Sequence, residues 1–187
     1  MPRVNPSRPV YSGLDPDPCA QPHLIVADAE GVAAVIELFA KGDGAFATHA
    51  TLLSLAGNGL GQGLDRLGAK VLRLLPHVPA LLRDFAERMA DASMGTTIYI
   101  AGSEAFIGEA ARLAGSYGIA FASLRTEHRG SIARRVQCVH CKSTEEQVVA
   151  ATVICSHCNL RLMVRDHYSH RLNAFMGVWM DAEDRRT

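Results

Sequence analysis

The chain has 187 residues, 48% of them apolar, which is enough for a packed core and too much for a disordered tail. Its 19 basic and 19 acidic side chains cancel, so the chain as a whole is not built to hold nucleic acid or an anionic membrane. Arginine, glycine or an acid interrupts every hydrophobic run before it reaches the ~18 apolar residues of a membrane span.

Residues 1–22 hold six of the eight prolines, which disfavours helix and ladder and predicts an extended arm able to lie along a surface. The arm lacks the apolar run of a secretion signal, and the expected compartment is reducing cytosol. Cys19 stands alone in it, without a base or helix start, and reads as an ordinary unpaired thiol. From His23 onward, short β-prone runs alternate with longer amphipathic ones. The pattern predicts a strand over His23–Ala27, a helix over Glu30–Lys41 and strands over His49–Leu55 and Ala69–Leu75. A helix over Val78–Ala92 follows, with Leu81, Leu82, Phe85 and Met89 on one face, and then a strand over Thr96–Ala101. Ser103 is placed to cap a helix over Glu104–Tyr117 that Gly118 ends, and Ile119–Arg125 reads as another strand. Strands separated by helices predict an α/β lobe over residues 23–130. Its parallel sheet is covered on both faces, with a binding crevice at the strands' C-terminal ends. The polar segment Arg125–Ile132 reads as its boundary.

Gly57, Gly59, Gly61 and Gly63 alternate after a predicted strand, but they do not form a dinucleotide fingerprint. A G-x-G-x-x-G pattern needs a third glycine where Gln62, Leu64 or Arg66 stands, so the run reads as a surface loop. Asp28 and Glu30, between the first strand and its helix, would repel an anion where helix-start amides should attract one. The strand TTIYI, the turn Ala101-Gly102-Ser103-Glu104-Ala105-Phe106 and the Gly118-Ile119 exit resemble the last strand–turn–helix of the nucleotide-binding lobe of ferredoxin reductase-like flavoenzymes. That likeness extends over residues 23–125. In that family the strand ends in Cys-Gly-Pro and a glycine-rich, Thr-Pro-containing phosphate turn follows the first strand. Neither stands here, so the resemblance implies a reductase-like scaffold whose nucleotide site has been lost.

Residues 131–187 carry the strongest signal. Cys138-x-x-Cys141 and Cys155-x-x-Cys158 are separated by 13 residues, a distance that a short β-hairpin spans. Each pair can form a knuckle that aims two thiolates at one point, and two knuckles make the four-sulfur tetrahedron preferred by zinc. The β-branched run Val148–Ile154 would supply the strand entering the second knuckle. Iron in a rubredoxin-like site has the same ligands and stays open as the alternative, which would make the chain an electron-transfer protein. A Rieske cluster fails because Cys158 stands where its second element needs histidine, which leaves His140 and His157 as outer-shell or solvent-facing residues. Disulfides are disfavoured in the expected compartment. A closed four-cysteine shell has no open position for substrate, so no catalytic residue is assigned. Arg134, Arg135, Arg161, Arg165 and Arg171 flank the knuckles and admit a nucleic-acid adaptor as a further alternative. Glu145, Glu146, Asp166, Asp181 and Glu183 are interleaved with them and disfavour it.

The tail crowds Arg165, Asp166, His167, Tyr168, His170 and Arg171 into seven positions. It reads either as a polar loop with local ion pairs or, with Trp179, as a docking surface. The degenerate lobe, the CVHC and CSHC knuckles, VRDHYSHR and the FMGVWMDAE ending together resemble the small-subunit family of bacterial dimethylamine monooxygenases, over residues 23–184. The resemblance implies a multisubunit NADPH-dependent enzyme that oxidises dimethylamine to methylamine and formaldehyde. It also implies haem, FMN and a [2Fe–2S] cluster on companion subunits, with this chain as an accessory or assembly subunit.

Overall fold

A computed structural model describes residues 8–19, 22–56 and 63–180. The chain divides into a larger unit, Tyr11–Ser131, and a smaller one that begins at Ile132 and includes, of the residues before Tyr11, the described residues 8–10. The alternating glycines expected to form a surface loop fall on residues 57–62, outside the described ones, apart from Gly63.

In the larger unit, β1 (His23–Ala27) is buried at every position, as the centre of a parallel sheet requires. It pairs in parallel with β2 (Ala50–Leu55) on one side and β4 (Thr97–Gly102) on the other. The outer strands, β3 (Val71–Leu75) and β5 (Arg125–His128), complete the order β3-β2-β1-β4-β5. Alternate side chains of β1 go to opposite faces. Ile25 and Ala27 join Leu52, Tyr99 and Ala101 beneath α1 (Val32–Lys41), which contributes Val32, Val35, Leu38 and Phe39. Leu24 and Val26 join Leu53, Ile98 and Ile100 beneath α3 (Val78–Ala90) and α4 (Glu104–Ser116). Ser103 caps α4 as expected, its Oγ accepting from the Phe106 amide at 3.4 Å, and Gly118 turns out of the helix at φ +82°.

Between α1 and β2 lies α2 (Gly44–Thr48), a helix that the apolar periodicity did not announce. The Asp43 carboxylate caps it by accepting from the Phe46 amide at 2.8 Å, and Phe46 completes the α1-side core. The strand expected over Ile119–Arg125 is displaced. Phe121–Ser123 forms a 3-10 turn, and β5 starts only at Arg125 because its partners are the C-terminal residues of β4, Tyr99–Gly102. The polar segment Arg125–Ile132 therefore contains the edge strand of the sheet, and the chain leaves this unit after Ser131. Arm residues 11–19 lie along the same unit. Gly13 donates to the Thr126 carbonyl, Asp17 donates to the Tyr99 hydroxyl at 3.0 Å, and Leu14 is 1% exposed within the core. Cys19 is exposed and free.

The smaller unit is a mixed sheet of β6 (Arg134–Cys138), β7 (Thr144–Val148), β8 (Thr152–Ile154), β9 (Arg161–Ser169) and β10 (Ala174–Trp179), in the order β7-β6-β10-β9-β8. Only β6 and β10 run parallel. The single strand expected over Val148–Ile154 is broken: Val148 closes β7 on one edge and Thr152 opens β8 on the other. Both Val148 and Val153 still reach the core formed with Val136 and Phe175. The tail is a β9–β10 hairpin and not a polar loop.

His23 opens β1 at 3% exposure, its ring tilted against Phe46 at 4.4 Å. Its Nδ1 has no hydrogen-bond partner among the described residues. Burial lowers its pKa and the nearby His49 charge adds to this, while Asp17 pulls the other way without prevailing. The folded chain thus resists a proton that the unfolded chain accepts near its ordinary ~6.5, so stability rises with pH across that range. Urea midpoints should fall as the pH drops from about 7 to about 5.5, and His23→Gln should flatten that slope. An unchanged slope in the variant would assign the effect to other groups.

Candidate metal centre

The two cysteine pairs are built as copies of one turn. In the first, the Cys138 amide donates to the Ser143 carbonyl at 2.9 Å and the Lys142 amide donates back to the Cys138 carbonyl at 3.0 Å. In the second, Cys155 donates to Leu160 and Asn159 donates back to Cys155, each at 2.9 Å. Lys142 and Asn159, each directly after the second cysteine of its pair, adopt left-handed φ values of +65° and +57°. This reversal lets a C-x-x-C pair point both side chains at one place. The first knuckle joins β6 to β7 and the second joins β8 to β9.

The topology brings all four predicted ligands together. The Sγ atoms of Cys138, Cys141, Cys155 and Cys158 lie within 4.8 Å of one another. Cys138 and Cys158 are 3.8 Å apart, and Cys141 and Cys155 are 3.5 Å apart. A tetrahedron of sulfurs each ~2.3 Å from a central zinc has edges of about 3.8 Å, so the quartet fits a four-coordinate ion. Cys138 and Cys155 are buried, and with Leu162, Val153 and Leu160 the four cysteines themselves form the core at this end of the unit.

Without an ion the thiols compete for charge. Hydrogen bonds from the Ser143 hydroxyl and backbone bring Cys141 down to about 6. At Cys158 the Leu160 amide favours thiolate, but burial and the three neighbouring thiols outweigh it and push the group up to about 12. A divalent cation removes this conflict by stabilising every thiolate at once, with release of protons. The Ser143 hydroxyl, 2.9 Å from Cys141 Sγ and 3.2 Å from Cys155 Sγ, bridges the knuckles. Glu145 adds a second tie from β7, accepting from the Ser156 amide and hydroxyl at 2.8 and 2.9 Å. Neither tie was legible in sequence, because each depends on how the hairpins fold over one another.

His140 and His157 are exposed. In the tail, Arg165, His167, His170 and Arg171 are exposed, whereas Tyr168 packs on Phe175 and donates to Asn173 Oδ1 at 2.9 Å. Asp166 pairs with Arg8 at 3.0 Å. Of the flanking arginines, Arg135 is paired with Glu146 and Arg134 lies over the Phe175 ring. No described helix is long and apolar enough to cross a membrane.

The fold and this site define a class: a doubly wound parallel α/β lobe joined to a β unit with a four-cysteine centre. Residues 5–124 match the N-terminal domain, and residues 135–178 the C-terminal domain, of the dimethylamine monooxygenase subunit DmmA-like models, and the chain belongs to that family. It is 31% identical over 121 residues to the heme-dependent oxidative N-demethylase delta subunit of Ectopseudomonas mendocina (strain ymp), covering 65% of this chain and 69% of that one. Among solved structures it is similar to phthalate dioxygenase reductase at 16% identity and to a type IV self-sufficient cytochrome P450 monooxygenase at 20%, both with TM-score 0.46 and 70% of this chain covered. The chain spans 44% of the first structure and 18% of the second.

Proposed function

We propose that this chain is an accessory or assembly subunit of a multisubunit, NADPH-dependent oxidative N-demethylase that converts dimethylamine to methylamine and formaldehyde in the cytoplasm. One observation carries the reading: both units of the chain match one subunit family, whose relative in E. mendocina is named a delta subunit. A delta subunit has companions, and haem, FMN and a [2Fe–2S] cluster are assigned to them. Among the described residues here, the thiolate quartet is the cluster equipped to hold a metal. Cys138, Cys141, Cys155 and Cys158 are assigned to zinc, which closes its coordination shell with four sulfurs and supplies cross-linking, not catalysis. The exposed Arg165 and Arg171 are of the residue type enriched in protein interfaces and belong to the docking face of this reading.

The test is affinity purification of the chain from its native host, followed by visible absorption and metal analysis. Co-purifying haem and flavin bands, with zinc in the isolated chain, are the expected result. A colourless, solitary protein would remove the subunit reading, and a rubredoxin-like spectrum from the isolated chain would replace zinc with iron.

A further inference from the structure

In an open parallel sheet, ligands gather outside the C-terminal ends of the strands where the strand order reverses. In the order β3-β2-β1-β4-β5 that place lies between β1 and β4, facing the first turns of α1 and α4. Backbone amides at such helix starts are the donors that an anionic phosphate requires. Here the amides of the two N-cap residues, Gly31 and Ser103, already have an anion. Asp28, the residue after β1, accepts at Oδ1 from the amides of Glu30 and Gly31 at 3.0 and 3.1 Å. At Oδ2 it accepts from the amide and the hydroxyl of Ser103 at 3.0 and 2.7 Å. Four donors from both helix starts thus converge on one carboxylate, and Asp28 is 7% exposed.

The backbone is shaped around this group. Gly102 ends β4 at φ +148°, and a Cβ there would overlap the Asp28 carboxylate. The next acid reinforces the closure: Glu30 accepts from the Ser131 amide at 2.9 Å, and Gly130, at φ +80°, leaves room for its carboxyl group. A phosphate approaching this crevice would meet two carboxylates and find the Gly31 and Ser103 amides occupied.

We propose that Asp28 is a built-in anion that closes the switch-point crevice of the lobe, so that neither a pyridine nucleotide nor another phosphate ligand binds there in the folded chain. The inference does not depend on the N-demethylase reading. It follows that a complex containing this chain and using such a nucleotide holds the nucleotide's phosphates outside this crevice.

The test follows the amide resonances of Gly31 and Ser103 in the isotope-labelled full-length chain, titrated with NADPH and separately with inorganic phosphate. In the wild-type chain both resonances are expected to stay unmoved by either. Asp28→Gly should show saturable shifts at both amides with inorganic phosphate, with a midpoint at least about tenfold below the highest phosphate concentration that leaves the wild-type resonances unmoved. Asp28→Ser keeps a short capping oxygen and serves as the second variant should the glycine change disturb the fold. Saturable movement of the wild-type Gly31 and Ser103 amides by NADPH would overturn the proposal. So would a variant with a well-dispersed spectrum that remains blind to phosphate.

Discussion

Cys155→Ser is expected to abolish metal binding at the cysteine quartet and unfold the whole cysteine unit, while the parallel-sheet unit survives. The reason lies in what fills the small core. Among the described residues, the buried clusters are Cys138, Cys155 and Leu162 at the knuckle end and Val136, Val148 and Phe175 at the other, with the small Ala133 and Ala174 also buried in this unit. So few apolar side chains cannot offset the entropy of ordering five strands, and small domains of this kind depend on a metal. Structural zinc contributes roughly 10–16 kcal/mol of apparent binding free energy in zinc-dependent peptides, far more than the few apolar contacts supply. Cys155 is fully buried and lies 3.5 Å from Cys141, so a serine there leaves three thiolates around an incomplete shell. Metal content after dialysis against a chelator should fall from about one ion per chain to near zero. Trypsin should then cut at Arg161 and Arg165 while leaving the larger unit intact. A variant that keeps its metal and resists trypsin would disprove the structural role of the quartet.

Gly31→Ala should destabilise the larger unit by about 3 kcal/mol, at the upper end of ordinary overpacking. A Cβ at this position would overlap the carbonyl of Ala101 and come within 2.8 Å of the Gly102 amide nitrogen. These are backbone atoms of β4, held between β1 and β5, and cannot swing aside as the tip of a side chain can. The loss is large against the ~5–15 kcal/mol that stabilises a typical domain. Gly44→Ala provides the control, because nothing lies within 4 Å of its added Cβ and the change favours helix. Urea denaturation of the two variants should separate them clearly. Equal midpoints would mean that α1 does not approach β4 as closely as described.

The elements legible in sequence are those whose side-chain period matches their burial. β1 reads as a continuous buried run, and α3 places Leu81, Phe85 and Met89 on one face at helical spacing. The Ser103 cap was visible because local chemistry suffices to define it. By contrast, α2 is only five residues long and is held by a single cap and Phe46, too short for periodicity to register. The displaced β5 has a different cause. Ile119–Leu124 is apolar because it packs beneath α4, while the true strand is polar because it lies at the sheet edge and is covered in part by the arm. Leu14, buried at 1% exposure inside a proline-rich segment, was hidden for the same reason.

The candidate site divides along the same line. The spacing of Cys138, Cys141, Cys155 and Cys158 by itself determined a four-thiol cluster able to hold a metal, because the ligand set and the tight turn are properties of a few consecutive residues. Asp28 and Glu30 were visible as charges unfavourable to phosphate. Only the tertiary structure decided that Asp28 does more than repel. The amides of Gly31 and Ser103 come together because β1 and β4 are neighbours, and their sequence positions are far apart. Only the tertiary structure placed Asp166 against Arg8 and Glu145 against Ser156, and turned the charged tail into a hairpin. Chemistry confined to a short segment is written in that segment; the neighbours of a strand follow from how the whole sheet closes, and no local pattern encodes them.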